Sequence, residues 1–157
     1  MGVAVAEAVG CRSREVDYGR QAVRAVVDTN VIAYFLLGTP KFVAEARAFW
    51  SQAEELIAPS IWEAEIANVV WMATRSDVIA KDDAVAKLAL AGRLGVHSVN
   101  NRTLWHGALT RALASGVAVY DTLYVELANR EGVPMATFDE KVLKAYPTIA
   151  KRPRDLL

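Results

Sequence analysis

The segment Arg24-Ala25-Val26-Val27-Asp28-Thr29-Asn30 decides the architecture of this chain. A short apolar run ends at Val27 and is followed at once by three polar residues. This pattern indicates a strand that ends at Asp28 and gives way to a capped helix. The apolar residues 31–37 predict that helix, and Gly38-Thr39-Pro40 is expected to end it.

The rest of the chain alternates short strands with helices. Four strands are expected in all, at residues 24–27, 56–58, 96–99 and 133–137. Further helices are expected at 41–52, 61–75, 82–94, 102–114, 120–130 and 140–145. Ser60, with Glu63 three residues on, has the spacing of a capping box. The alternation is typical of an α/β fold, and we expect a three-layer α/β/α sandwich with a mainly parallel central sheet.

Length and composition predict one folded domain. The chain has 157 residues, of which 54% are apolar, which is enough for a substantial core. Residues 1–22 show no sustained periodicity, so we expect a poorly ordered N-terminal extension before a single domain at 23–157. A lone cysteine, Cys11, favours a reducing compartment. Because no apolar run could span a membrane and no signal peptide is recognisable, a cytoplasmic protein without membrane contact is expected.

The charge balance limits the kinds of partner. Eighteen basic and eighteen acidic residues give a formal net charge of zero. This weighs against tight, non-specific binding to nucleic-acid phosphates. An enzyme that contacts a few phosphates through a local patch and a bound cation remains compatible with it. The side chains that could contact RNA phosphates, or could equally be solvated charge, are Arg24, Arg93, Arg102, Arg111 and the basic run at 151–154.

Four carboxylates stand out by their positions. Asp28 and Asp139 follow the first and fourth predicted strands, and functional groups of parallel sheets gather outside the carboxyl ends of the strands. Asp121 follows an apolar run at the start of a predicted helix, and Glu65 lies inside one, among apolar neighbours. Each could instead be a helix cap or a solvated helix residue. Only their combination is informative.

An acidic cluster of this kind is suited to a divalent cation. Four carboxylates in one pocket would repel each other by several kcal/mol in a low dielectric, and one or more would stay protonated without a cation. Mg²⁺ and Mn²⁺ prefer such hard oxygen ligands. One or two ions could therefore bind, and a pair of ions can promote phosphodiester hydrolysis.

At these residues the chain resembles the PIN-domain ribonucleases, especially the VapC-like toxins of prokaryotic toxin–antitoxin pairs. Four segments match the family's motifs in the same order: VDTNVI at 27–32, PSIWEAEIAN at 59–68, YDTLYVELA at 120–128 and ATFDEK at 136–141. The ordered set is specific, whereas Asp-Thr-Asn alone would not be. The resemblance covers about residues 24–150.

The resemblance implies an endoribonuclease that depends on Mg²⁺ or Mn²⁺. It also implies an RNA substrate, a homodimer and a cognate antitoxin that obstructs the acidic site. Four acids would bind the metal and carry the catalysis: Asp28, Glu65, Asp121 and Asp139. Four polar residues would shape the first loop or orient ligands or water: Thr29, Asn30, Asn68 and Thr137.

Other classes remain open at this point. The chain could be a catalytically inert PIN-like module that binds RNA or a protein partner. A haloacid-dehalogenase-like phosphatase would need an acid two residues after Asp28, where Asn30 stands. A phospho-receiver domain would need a paired acid and a lysine near the last strand, which Thr137-Phe138-Asp139 does not supply.

Overall fold

The computed structural model describes residues 22–157. Cys11 and nearly all of the predicted N-terminal extension lie outside the described residues. The described part forms a five-stranded sheet and seven α-helices, which confirms the predicted fold class. The strands are β1 (Val23–Val27), β2 (Ala53–Pro59), β3 (Val96–Val99), β4 (Met135–Ala136) and β5 (Ala150–Lys151). The helices are α1 (Thr29–Leu37), α2 (Val43–Gln52), α3 (Ile61–Arg75), α4 (Lys81–Ala91), α5 (Trp105–Ser115), α6 (Val119–Glu131) and α7 (Glu140–Ala145).

The strand order determines where a crevice forms at the edge of the sheet. All neighbouring strands pair in parallel, in the order β3-β2-β1-β4-β5. The chain therefore runs outward from β1 to β3 in one direction and from β4 to β5 in the other. The reversal occurs between β1 and β4, where Val26 pairs with Met135 and Val27 with Ala136. In open α/β sheets a crevice forms outside the carboxyl ends of the strands at such a point.

Two groups of helices cover the sheet. Helices α1 to α4 pack on one another, and α3 also contacts β2. Helix α6 packs against β1, β2 and β4, while α5 lies on α6. β1 is almost entirely buried because it is central, and Ala25, Val26 and Val27 are fully inaccessible. Among the helices of residues 22–157, none combines the length and the apolar character that a membrane span requires.

Several local predictions were wrong. Sequence reasoning missed β5, because two residues carry no periodicity and pairing with β4 alone defines them. The fourth strand is two residues long, not five. The proposed capping box is absent: Ser60 itself has helical dihedrals, and its hydroxyl accepts a hydrogen bond from the backbone N–H of Asn101 instead. Glu63 accepts one from the Ser98 hydroxyl.

The connection after β3 also differs from the prediction. A continuous helix was expected from about residue 102, but a 3₁₀ turn at Asn101–Thr103 comes first, and α5 begins at Trp105. Asn100 caps the 3₁₀ turn, since its side chain accepts the backbone N–H of Arg102 at 2.9 Å. Helix α2 packs one face into the core, where Ala46 and Phe49 are fully buried.

Candidate active site

The four predicted acids line one cavity of about 420 Å³. Asp28 directly follows β1, and Asp139 precedes α7, so these two flank the point where the strand order reverses. Glu65 reaches the cavity from α3, and Asp121 from the first turn of α6. Four segments that are distant in sequence thus contribute to the same crevice.

Asp28 is held by a residue of helix α1 and by a residue of the loop that follows β4. Its Oδ2 accepts hydrogen bonds from the Thr137 hydroxyl at 2.6 Å and from Asn30 Nδ2 at 2.8 Å. Asn30 also accepts the backbone N–H of Phe138 through its Oδ1 at 3.1 Å. The Asp28 side chain makes no cap for α1. Asp28 thus occupies the N-cap position of α1 without capping it through its side chain, because the carboxylate accepts hydrogen bonds from Asn30 and Thr137 instead.

Glu65 is held by two hydroxyl groups. Thr29 Oγ1 donates to Glu65 Oε2 at 2.8 Å, and the Tyr124 hydroxyl donates to the same oxygen. The two hydroxyl oxygens are 2.7 Å apart. Tyr124 received no role from the sequence, although it lies within the third motif segment. Its spacing of three residues from Asp121 was the available signal, because residues at i and i+3 share a helix face.

Asp139 caps a helix as well as lining the cavity. Its Oδ1 accepts the backbone N–H groups of Lys141 at 2.8 Å and Val142 at 3.0 Å. Its own backbone N–H donates to Thr137 Oγ1 at 3.0 Å, which links it to the group around Asp28. The cap interpretation is thus correct for this residue. Both capping bonds use Oδ1, so Oδ2 of Asp139 takes no part in the cap.

Two of the four acids, Asp28 and Asp121, have a raised pKa, mainly because they are buried. Burial raises the pKa of Asp28 to about 7, with the nearby charges of Asp121 and Glu65 adding to the rise, while the hydrogen bond from Thr137 opposes it. Burial also raises the pKa of Asp121, again helped by neighbouring carboxylates, and Lys141 partly offsets this. Within residues 22–157, none of the four acids has a salt bridge to a basic side chain.

The donor chemistry of the cavity fits a hard divalent cation. Carboxylate oxygens without cationic partners are the ligands that Mg²⁺ and Mn²⁺ use. In the observed geometry of residues 22–157, however, no three His, Cys, Asp or Glu side chains are arranged to hold an ion. Since unpaired carboxylates repel each other, we expect them to move closer together when a cation neutralises them.

Other predicted residues fall at the edge or elsewhere. Thr29, Asn30 and Thr137 lie among the acids as expected. Asn68 lines the cavity but is exposed, and within the described chain it makes no side-chain hydrogen bond to an acid. Its predicted orienting role stays a prediction.

Three of the arginines considered for RNA contact are engaged in ion pairs. Arg24 pairs with Glu55 and Glu131, and Arg111 pairs with Glu126. Arg152 pairs with Glu45. These guanidinium groups are therefore already partnered by carboxylates.

The fold and cavity define a class of protein: an α/β domain with an acidic crevice where the order of its parallel strands reverses. The family model of the PIN domain matches residues 25–147. Ribonuclease VapC3 of Pyrobaculum aerophilum is 31% identical over 130 residues, which cover 80% of this chain and 97% of that protein. This chain belongs to the PIN-domain family. The predicted resemblance is thereby confirmed.

A solved structure supports the same fold. The crystal structure of VapBC2 from Rickettsia felis, bound to a DNA fragment from their promoter, matches with a TM-score of 0.58 at 16% sequence identity. The match covers 83% of this chain and 98% of that one. At this identity the likeness concerns the fold alone.

Proposed function

We propose that this protein is a divalent-metal-dependent endoribonuclease that hydrolyses RNA phosphodiester bonds and acts as the toxin of a toxin–antitoxin pair. Membership of the PIN-domain family and the similarity to Ribonuclease VapC3 support nuclease activity. The observation that carries the proposal is the cavity itself. Four acids from four separate segments converge there without cationic partners in the described chain.

The chain's own residues have distinct tasks in this scheme. Asp28, Glu65, Asp121 and Asp139 would hold one or two Mg²⁺ or Mn²⁺ ions. A bound divalent cation supplies activation of water and stabilisation of the charge on the phosphate and leaving oxygens. Asn30 and Thr137 fix one oxygen of Asp28, so that the other is available to a ligand. The half-buried crevice limits the water around these groups, which strengthens their electrostatic effect.

The direct test is RNA cleavage by the purified full chain with Mg²⁺ or Mn²⁺ and with EDTA. Asp28→Asn and Asp121→Asn are expected to lose about 100-fold or more in rate, because cation-based stabilisation contributes several kcal/mol. Glu63→Gln and Glu140→Gln are matched controls and should keep the activity. Glu63 faces Ser98, and the Glu140 side chain is 85% exposed. Equal cleavage by the wild type and the Asp variants would reveal a contaminating nuclease and refute the proposal.

An antitoxin partner is part of the same proposal. The solved structure that shares this fold is that of VapBC2, and this likeness supports a cognate protein partner for the present chain. We place both in the cytoplasm, where RNA is available. Co-expression with a small protein encoded beside this gene is expected to suppress cleavage by the co-purified complex. Undiminished cleavage in a stable complex would argue against an antitoxin role for that protein.

A homodimer is also proposed. Helix α5 exposes apolar residues at i, i+4 and i+8: Trp105 is 49% exposed, Leu109 49% and Leu113 79%. Exposed apolar strips of this kind are typical of interaction surfaces. Light scattering of the wild type and of Leu113→Glu tests this, with a dimer expected for the first and a monomer for the second. A monomeric wild type would contradict the proposal.

The alternative function is an inert PIN-like module that binds RNA or a protein without cleaving. The observation in its favour is that no three acids in residues 22–157 are arranged to hold an ion in the observed geometry. Calorimetric titration of the wild type with Mn²⁺ separates the two. Binding that Asp28→Asn abolishes supports the nuclease, and no binding by the wild type supports the inert module.

A further inference from the structure

The hydroxyl group of Tyr124 is buried at the wall of the acidic cavity. The residue is 1% exposed and comes from the middle of α6. Its aromatic ring belongs to the core, where phenylalanine would pack equally well. A buried phenol hydroxyl needs a hydrogen-bond partner, and within the described chain this one donates to Glu65, with the Thr29 hydroxyl oxygen as its other polar neighbour at 2.7 Å. Both partners lie at the cavity, so the hydroxyl serves the cavity rather than the core.

The two hydroxyl groups act on the same carboxylate oxygen. Thr29 and Tyr124 both donate to Glu65 Oε2. Within residues 22–157, Oε1 accepts no hydrogen bond from any side chain. The carboxylates of Asp28 and Asp139 are arranged alike, because in each of them one oxygen accepts two hydrogen bonds. In all three acids one oxygen is anchored, and the other is available to a ligand.

Anchoring matters most for Glu65. A glutamate has one more rotatable bond than an aspartate, and its carboxylate loses more conformational freedom when a ligand fixes it. A group that holds the carboxylate in place beforehand removes part of that cost from ligand binding. Tyr124 is suited to this task because its ring is locked in the core and its hydroxyl has little freedom to move.

We propose that Tyr124 is a positioning residue, whose hydroxyl, together with that of Thr29, fixes Glu65 Oε2 and directs Oε1 to a ligand in the cavity. The inference rests on the proposed function, since the ligand it assumes is the divalent cation of the nuclease. Tyr124 does not touch the substrate in this scheme. It acts through Glu65.

The test compares Tyr124→Phe with Tyr146→Phe. The Tyr146 hydroxyl also has two partners, Arg111 O at 3.2 Å and Ser115 Oγ at 2.8 Å, but it lies away from the acids. Calorimetric titration of the full chain with Mn²⁺ should show affinity about 10- to 100-fold weaker for Tyr124→Phe and unchanged for Tyr146→Phe. RNA cleavage by Tyr124→Phe should recover at saturating Mn²⁺, with KM for RNA unchanged.

A merely structural tyrosine gives a different result. Tyr124→Phe would then lower the melting temperature, as is expected of Tyr146→Phe, and bind Mn²⁺ like the wild type. That result overturns the inference and leaves the proposed function intact.

Crystal structures of the wild type and both variants supply a readout that needs no metal. Glu65 should keep one conformation in the wild type and in Tyr146→Phe, and should take several in Tyr124→Phe. A single conformation in all three overturns the inference. If the wild type neither binds Mn²⁺ nor cleaves RNA, the proposed function fails, and the conformation of Glu65 decides the role of Tyr124 by itself.

Discussion

Replacing Asp28 by asparagine removes the most strongly perturbed charge of the cavity. Burial and the neighbouring carboxylates raise its pKa from the ordinary 3.8 to about 7. The carboxamide oxygen of asparagine can take the place of Oδ2 and accept the same bonds from Asn30 and Thr137. Asp28→Asn is therefore close to a neutral isostere of the protonated acid.

The sign of the pH effect follows from proton linkage. Between about pH 4 and 7 the native wild type holds a proton on Asp28 that the unfolded chain has released. Its free energy of unfolding therefore falls as the pH rises through this range and levels off above about pH 7. The shift from 3.8 to about 7 corresponds to about 4 kcal/mol in total, of which about 2 kcal/mol is lost between about pH 5.5 and 8.

The measurement is urea unfolding of the wild type and Asp28→Asn in EDTA at about pH 5.5 and 8. Subtracting the two proteins cancels the titration of the shared groups that do not interact with Asp28. The free energy of unfolding of Asp28→Asn minus that of the wild type should be about 2 kcal/mol larger at the higher pH than at the lower. In melting temperature this is about 4–8 °C for a domain of this size.

Adding Mg²⁺ at the higher pH provides the second half of this experiment. A cation favours the charged carboxylates and binds only the native state, so it should stabilise the wild type and leave Asp28→Asn nearly unaffected. If the difference in free energy of unfolding between the two proteins is the same at both pH values, the raised pKa of Asp28 is refuted. Equal stabilisation of both by Mg²⁺ would mean that the ion binds elsewhere.

Two further predictions concern the site and the core. Glu65→Gln should reduce RNA cleavage by about 10- to 100-fold, whereas Glu63→Gln, two residues earlier on α3, should retain it; similar losses in both would show that helix α3, not the carboxylate, was disturbed. Gly107→Ala places a Cβ 2.3 Å from the carboxylate of Glu126, which two arginines hold, so about 1–3 kcal/mol of stability should be lost in thermal unfolding. Gly92→Ala should be neutral or stabilising, because the atom nearest to the added Cβ is the backbone oxygen of Ala89 at 3.6 Å. Equal effects at both glycines would contradict the steric reasoning.

Most of the regular elements could be predicted from the sequence. Helix α3 ends at Arg75 as expected, and α7 spans the predicted residues 140–145. The apolar runs and glycines that mark these elements are local signals, so a single sequence contains them. β5 carried no such signal, because its two residues are strand only through pairing with β4.

The side-chain caps at helix N-termini were harder to predict than the helices themselves. Ser60 and Glu63 have the spacing of a capping box, yet both side chains bond to the β3 region instead. Asp139 does cap its helix. Since the same residue types serve either purpose, only the neighbours that folding brings near decide which one is realised.

The sequence by itself determined the family and singled out four candidate acids, because the order of the motifs along the chain is a one-dimensional property. The predicted strands and helices around them placed Asp28 and Asp139 at the carboxyl ends of strands and Glu65 and Asp121 on helices. Only the tertiary structure decided how the acids are held. It brings Thr29 of α1, Glu65 of α3 and Tyr124 of α6 into one hydrogen-bonded group. Glu65 and Tyr124 lie 36 and 95 positions from Thr29, and no local pattern relates side chains over such distances.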